Sequence, residues 1–333
     1  MISKKLKIAV IYSHHKLGDL IWQLPYIKSI SIKYNSKITL IVRPKTQAKD
    51  ILKDENYIKE FFYCKFRKKL WYFIEILILY FFFKKRVFSH VFILDKISRP
   101  AIAAKLAGIK NIIGPGIKSQ KKWLTSNLFL TDDDYKNLNY SQQSEKILNL
   151  NEISVYEKIP RINIKKESLL SIEPQINNTK TYVSFGVDSF ELYKMWFEDQ
   201  FAELANKLYD NNIAENFFLI ASPDNYNVVK KIINLSGKDI FFDCSKLNLL
   251  QIIKVIKNSF FFVGNNSGPL NLASALDAKA FGLIANDKVS ELKNSNINPI
   301  LPDNYRNEFF RDRNGMRRLN VEKVYSQILL NLR

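Results

Sequence analysis

Two cysteines and three histidines are all that this chain of 333 residues has for disulfide or soft-metal chemistry. Cys64 and Cys244 lie far apart in sequence, which excludes a disulfide scaffold and fits a reducing compartment. The histidines fall into no Cys/His spacing, so a zinc site finds no support, and no cofactor is expected. There is no G-x-G-x-x-G, and Gly114-Pro115-Gly116 reads as a turn, not as a dinucleotide fingerprint. RNP, KH and helix-turn-helix signatures are also missing. The longest apolar run, Leu70–Phe83, is interrupted by Glu75 and falls short of the ~20 residues a spanning helix needs. Met1–Lys7 is basic, but Ile8–Tyr12 is too short for a signal core. A cytoplasmic protein without a transmembrane segment is expected.

Acidic residues are also in short supply. Against 32 Asp and Glu stand 51 Lys and Arg, a net charge of +19. That balance suits an acidic partner: nucleic acid, an anionic membrane or a phosphorylated substrate. A hydrophobic content of 47% is globular, and the length accommodates two α/β domains.

The pattern along the chain alternates strand and helix. Leu6–Tyr12 is a continuous apolar run, as in a buried parallel strand. After the loop Ser13–Gly18, Asp19–Lys33 carries apolar residues at helical spacing, with Pro25 set to bend or detach its opening turns. Strands at Lys37–Val42, Ile58–Tyr63, Val87–Leu94 and Asn111–Ile113 alternate with helices at Lys45–Leu52, Phe66–Lys85 and Arg99–Ala107. Asp132–Asn178 has no sustained period, and the boundary between a domain 1–170 and a domain 171–333 is placed in its latter part. Alternation resumes with strands Thr181–Gly186, Asn216–Ala221 and Asp239–Phe242 and helices Phe197–Tyr209, Asn225–Leu235 and Leu247–Asn258, and a last helix spans Leu319–Leu330. Two parallel, doubly wound sheets follow from this rhythm, one of several two-domain α/β possibilities.

The chain is organised around Phe260–Leu283: a buried strand, the turn Gly264–Gly268, a helix from Pro269, and a second buried strand. Gly264 and Gly268 permit a sharp turn and close approach of a ligand. Ser267 is placed to cap the helix, and Pro269 suits its first turn. A helix start aimed out of a strand's carboxyl end is an anion site, here for a phosphate.

Within it, GNNSGPLNLASAL resembles the G-x-D-[ST]-G-x-x-H-x-A-x-A-L stretch of the family 9 glycosyltransferases, the heptosyltransferases of the lipopolysaccharide inner core. Asn266 stands where the family carries Asp, and Asn271 where it carries His. Lys16–Pro25, KLGDLIWQLP, is similar to the family's opening G-D-x-x-x-x-x-P, in which the Asp is the proposed catalytic base. Read without the family, Asp19 is a helix cap; the resemblance makes it the base. Phe185–Trp196, FGVDSFELYKMW, resembles the K-x-W-P stretch, with Phe197 in place of the Pro. By that likeness Lys194 and the hydroxyl of Ser189 contact the donor diphosphate, while Trp196 packs the following helix.

The resemblance implies a GT-B fold, two Rossmann-like domains facing a central cleft. It also implies an inverting, metal-independent transfer of a sugar, a heptose from an ADP-heptose-like donor, to a lipid-linked saccharide. The acceptor falls to the N-terminal domain, with His14, His15 and Lys16 as candidate contacts. The nucleotide falls to the C-terminal domain, with Ser267 and Gly268 at the diphosphate and Gly264, Asn266 and Asn271 at the nucleotide and sugar. The last helix is a candidate to pack back on the N-terminal domain. Two rivals stand beside this reading: a catalytically weakened GT-B scaffold, suggested by Asn266 and Asn271, and a basic nucleic-acid-binding protein, suggested only by charge.

Three further features call for simpler readings. Asp132–Asp133–Asp134 reads as a solvated loop, and Arg311–Arg318 as a solubilising cluster. Lys65, Arg67, Lys68 and Lys69 precede the apolar Phe66–Arg86 region, and Lys84, Lys85 and Arg86 close it. Basic ends of that kind suit peripheral contact with the anionic cytoplasmic face of the inner membrane, unless the helix is core.

Overall fold

The computed structural model describes residues 6–165, 169 and 181–332. Its contacts divide the chain into two compact units, Met1–Ile164 and Lys165–Arg333. Apart from Lys165 and Leu169, the expected boundary stretch 165–178 lies outside the described residues.

The first unit is built on five parallel strands: β1 (Ile8–Ile11), β2 (Ile38–Val42), β3 (Ile58–Tyr63), β4 (His90–Ile93) and β5 (Asn111–Ile113). Their order in the sheet is β3-β2-β1-β4-β5. Ile8 of β1 pairs with Ile38 on one side and His90 on the other, and all four β1 residues are buried. A strand covered on both faces has no polar side, which is why its sequence is continuously apolar. The chain winds from β1 to β3 in one direction and then reverses to β4 and β5. The reversal leaves a crevice beyond the carboxyl ends of β1 and β4, the position where open α/β sheets take ligands.

Pro25 acts as expected. A short helix, Leu17–Ile21, ends before it, and a second, Leu24–Lys33, begins with the proline in its first turn, where no N–H is needed. The helix expected from Phe66 starts late, at Trp71, because Phe66 and Lys69 both adopt positive φ and break the helical path. Within Asp132–Asn178, the part up to Leu150 is more regular than its composition suggests. Helices Asp132–Asn137 and Tyr140–Leu150 each open with a capping box, Thr131 with Asp134 and Asn139 with Gln142. The acidic triplet is thus the first turn of a capped helix, not a loop. Lys146 binds Asp134 at 2.5 Å and, with the Thr131 bonds, holds that carboxyl down at about 2.

The second unit contains β6 (Tyr182–Gly186), β7 (Asn216–Ile220), β8 (Phe241–Asp243), β9 (Phe262–Asn265), β10 (Ala280–Leu283) and β11 (Ile297–Ile300), in the order β11-β10-β9-β6-β7-β8. All pairings are again parallel. The winding reverses between β8 and β9, so this sheet's crevice opens beyond β6 and β9. Strand β11 has no counterpart in the sequence reading because Pro299 interrupts it; a proline is tolerated there because β11 is an edge strand. The last helix, Val321–Leu332, buries Val321, Val324 and Ile328 in this unit's own core.

Candidate active site

At the crevice of the first sheet, the loop after β1 carries His14, His15 and Lys16, and Lys16 is the cap position of the helix Leu17–Ile21. No side chain caps that helix. Asp19 sits inside its first turn, half exposed, with its carboxylate 3.5 Å from His14 Nδ1. The imidazole is fixed in turn, stacked on Tyr12 at 4.9 Å and met edge-on by Tyr140 at 4.4 Å. Partial desolvation and the charges of Arg43 and Lys45 hold His15 below the usual histidine range. Tyr12 is pushed well above an ordinary phenol, first by burial and then by the carboxylates of Asp19 and Asp95.

The loop is held by two residues that composition and motif did not single out. Asp95, just beyond β4, accepts the Ser13 N–H at 2.5 Å and the Ile97 N–H at 3.1 Å. Arg43, just beyond β2, donates to the Ser13 carbonyl, to that of Lys65 at 2.6 Å and to that of Phe66 at 3.2 Å. Both directly follow strand carboxyl ends, which is the signal that could have found them.

In the second unit, the loop after β6 runs through Asp188 and Ser189 to a 3-10 turn, Leu192–Lys194. Ser189 Oγ is buried and accepts the Glu191 N–H at 3.3 Å. Asp188 ties the loop to the end of β7 by accepting the Ser222 N–H at 2.7 Å. Lys194 Nζ lies 3.2 Å from Asp287 and 3.4 Å from Glu191. Burial alone lowers a lysine, but the two carboxylates outweigh it and hold Lys194 above its ordinary value. Asp287 also accepts the Asn266 side-chain N–H at 2.9 Å. One carboxylate thus joins the loops after β6, β9 and β10.

The helix after β9 is Gly268–Ala275, with Pro269 in its first turn and Ser267 at its cap position. Ser267 makes no capping bond: its hydroxyl is buried without a partner, as are Asn271 Oδ1 and Asn265 Nδ2. Three orphaned polar atoms around one helix start, with first-turn amides and the positive dipole end, leave hydrogen-bonding capacity that a bound polar group can use.

The two glycines of the turn have different functions. Gly268 has nothing within 4 Å of where a Cβ would stand, so its face is open. Gly264 is not in the turn but in β9, opposite Gly186, and a Cβ there would come within 2.8 Å of the Gly186 carbonyl oxygen and of the Phe262 ring. Its smallness serves the packing of β9 against β6. The carboxy-terminal arginines are likewise not mere solubilisers. Arg313 donates to the Met195 carbonyl at 3.2 Å and to Glu198 at 3.0 Å, while Arg317 pairs with Asp199 and lies 3.7 Å over the Phe197 ring. They brace the segment that presents Lys194. Trp196 is fully buried against Phe201 and donates its indole N–H to the Leu319 carbonyl at 2.8 Å.

Two doubly wound parallel sheets in tandem, each with polar groups gathered at its switch point, have the GT-B fold of nucleotide-sugar glycosyltransferases. The glycosyltransferase family 9 (heptosyltransferase) model matches residues 133–302, and the chain belongs to that family and is a glycosyltransferase. Its fold is similar to that of the E. coli ADP-heptose LPS heptosyltransferase II: 15% identity, 98% of this chain and 100% of that one covered, TM-score 0.74. The family 9 glycosyl transferase of Veillonella parvula DSM 2008 gives 16% identity, 99% and 98% coverage and a TM-score of 0.77. E. coli heptosyltransferase WaaC with ADP gives 15%, 98% and 100%, and 0.74. No curated protein matches the chain.

Proposed function

We propose that this enzyme transfers a heptose from an ADP-heptose-like donor to a lipid-linked saccharide acceptor in lipopolysaccharide assembly, with inversion and without a metal ion. The family and the names of its structural neighbours support the donor class. The observation that carries the reading is the sorting of charge between the two switch points. The first presents a carboxylate, Asp19, and the second a cation, Lys194, beside a helix start with unpaired polar atoms.

In this mechanism the acceptor hydroxyl binds at the first unit and the nucleotide at the second. Asp19 takes the hydroxyl proton as the acceptor oxygen attacks the anomeric carbon. The bond from that carbon to the diphosphate breaks on the opposite face. Negative charge then grows on the diphosphate, and fixed donors aimed at it lower the barrier. Lys194, ion-paired with Asp287 and Glu191, offers an ammonium N–H to a phosphate oxygen. Ser267, Gly268 and the first-turn amides supply the rest, and Asn266 and Asn271 offer amide groups to ribose or sugar hydroxyls. Ser189 orders the loop that carries Lys194 through its bond to the Glu191 N–H.

Two measurements test this. ADP at about 100 times its dissociation constant should add ~2.7 kcal/mol of stability. Asp19→Asn should keep the fold and ADP binding while transfer falls ~10²–10⁴-fold. Because Asp19 makes no capping bond, loss of a cap cannot produce that result. Wild-type turnover in folded Asp19→Asn sinks the base assignment. Failure of any adenosine or uridine diphosphate to bind favours the second reading, a scaffold weakened at Asn266 and Asn271.

A further inference from the structure

Among the described residues, the helix Trp71–Arg86 turns one largely apolar face to solvent. Ile76, Leu79 and Phe83 go into the first unit's core, and Glu75 turns inward to pair with Arg99. The single acidic residue of the helix is therefore absent from its outer face. Outward, Phe73, Leu77 and Phe81 are 66%, 56% and 65% exposed, and Leu70, Trp71 and Ile78 extend the patch. At 100° per residue these six fall within one half of the helix circumference. This is far more exposed aromatic and aliphatic surface than a soluble face needs.

Cations frame the patch at both ends. Lys65, Lys68 and Lys69 stand exposed before the helix, and Lys84 and Lys85 at its end, with no carboxylate paired to any of the five among the described residues. Beyond Arg86 the surface opens into a cleft lined by Lys7, Lys37, Lys59 and Arg86, with Glu60 as its one acid. No helix among the described residues is long and apolar enough to cross a membrane.

We propose that this face is a docking surface for an anionic lipid bilayer. Phe73, Leu77 and Phe81 enter the headgroup–acyl boundary, and the lysines at both ends meet acidic headgroups. The charge pattern selects this occupant over a second copy of the chain. A symmetric pairing would bring the same lysines close to their own copies, in a protein already carrying +19. The inference rests on the exposed face alone and does not depend on the identity of donor or acceptor.

Flotation of the full-length protein with vesicles tests it, using phosphatidylcholine alone and phosphatidylcholine mixed with phosphatidylglycerol. Recovery should be strong only with the anionic vesicles and should fall with added salt. Lys84→Glu with Lys85→Glu should weaken binding by about fivefold per cation removed, and further through charge reversal. Phe73→Ser, Leu77→Ser and Phe81→Ser together should abolish recovery without lowering the melting temperature, since all three side chains are outside the core. Fluorescence lost in Trp71→Phe should be the portion quenched by brominated lipid. Equal recovery from neutral and anionic vesicles would overturn the proposal, as would recovery unchanged by either set of substitutions. A dimer that dissociates in the triple serine variant, without flotation of the wild type, would assign the face to self-association and overturn it equally.

Discussion

Asn266 donates its side-chain amide to Asp287 at 2.9 Å, and the other oxygen of the same carboxylate lies 3.2 Å from Lys194 Nζ. The family pattern to which Asn266 is the exception has an acid at that place. Here Asp287, in the loop after the neighbouring strand β10, supplies the carboxylate that meets both Asn266 and Lys194.

That geometry makes a restoring substitution harmful. Asn266→Asp recreates the family residue but sets a carboxylate against Asp287 where a hydrogen bond had been. Loss of a bond to a charged group costs about 1.5–3 kcal/mol, and the like charges add to it. Urea unfolding should show Asn266→Asp destabilised by that order, with weaker ADP binding by titration calorimetry. Asn266→Asp combined with Asp287→Asn should recover most of both. A single Asn266→Asp variant more stable than wild type refutes this repulsion.

Lys194 sets a pH dependence whose sign follows from its surroundings. Its pKa is raised, with burial opposed and outweighed by Asp287 and Glu191. A raised lysine keeps its charge, and the stability that charge contributes, at low pH and loses both as pH climbs through the folded pKa. Asp287→Asn leaves burial with less opposition, so that limit moves to lower pH. ADP affinity measured across the alkaline range should therefore fail earlier in Asp287→Asn than in wild type. An unmoved alkaline limb means that Lys194 does not meet the diphosphate.

Gly264→Ala and Gly268→Ala should separate folding from binding. The first drives a methyl to within 2.8 Å of the β6 backbone and the Phe262 ring, an overpacking that costs about 1–3 kcal/mol. The second adds a methyl to open space at the helix start. Thermal unfolding should fall for Gly264→Ala and hold for Gly268→Ala, while ADP affinity falls for Gly268→Ala. Reversed effects would place the ligand against β9 instead.

Glu75 should prove the most sensitive acid of the first unit. Its carboxylate takes the Arg67 N–H at 3.0 Å and pairs with Arg99, which is itself buried. Glu75→Ala strands that guanidinium, and breaking such a pair costs about 3–5 kcal/mol. Glu75→Ala and Arg99→Met together should be less destabilised than Glu75→Ala alone, by denaturant midpoint.

The strands were readable from sequence because parallel strands buried on both faces are mostly apolar, as in Ile8–Ile11 and Ala280–Leu283. The helix break at Pro25 was readable for a covalent reason. What stayed hidden was mostly pairwise. Asp287 looks like any loop acid until the sheet order brings β10 beside β9 and so sets it against Asn266. The helix Tyr140–Leu150 carries few apolar residues, and its capping box is the local signal that was passed over. The packing role of Gly264 is hidden because a glycine required by a neighbouring strand looks the same in sequence as one required by a turn.

Arg43 belongs to neither candidate site, yet its planar fork takes carbonyl oxygens from the loop that leads to Asp19 and from the segment that leads into the exposed helix. Those two stretches consequently share a single rivet. A surface that grips the helix would also fix the platform on which the carboxylate stands. On the docking proposed above, the bilayer would do more than raise the local concentration of acceptor: it would set the attitude at which the enzyme meets each incoming chain.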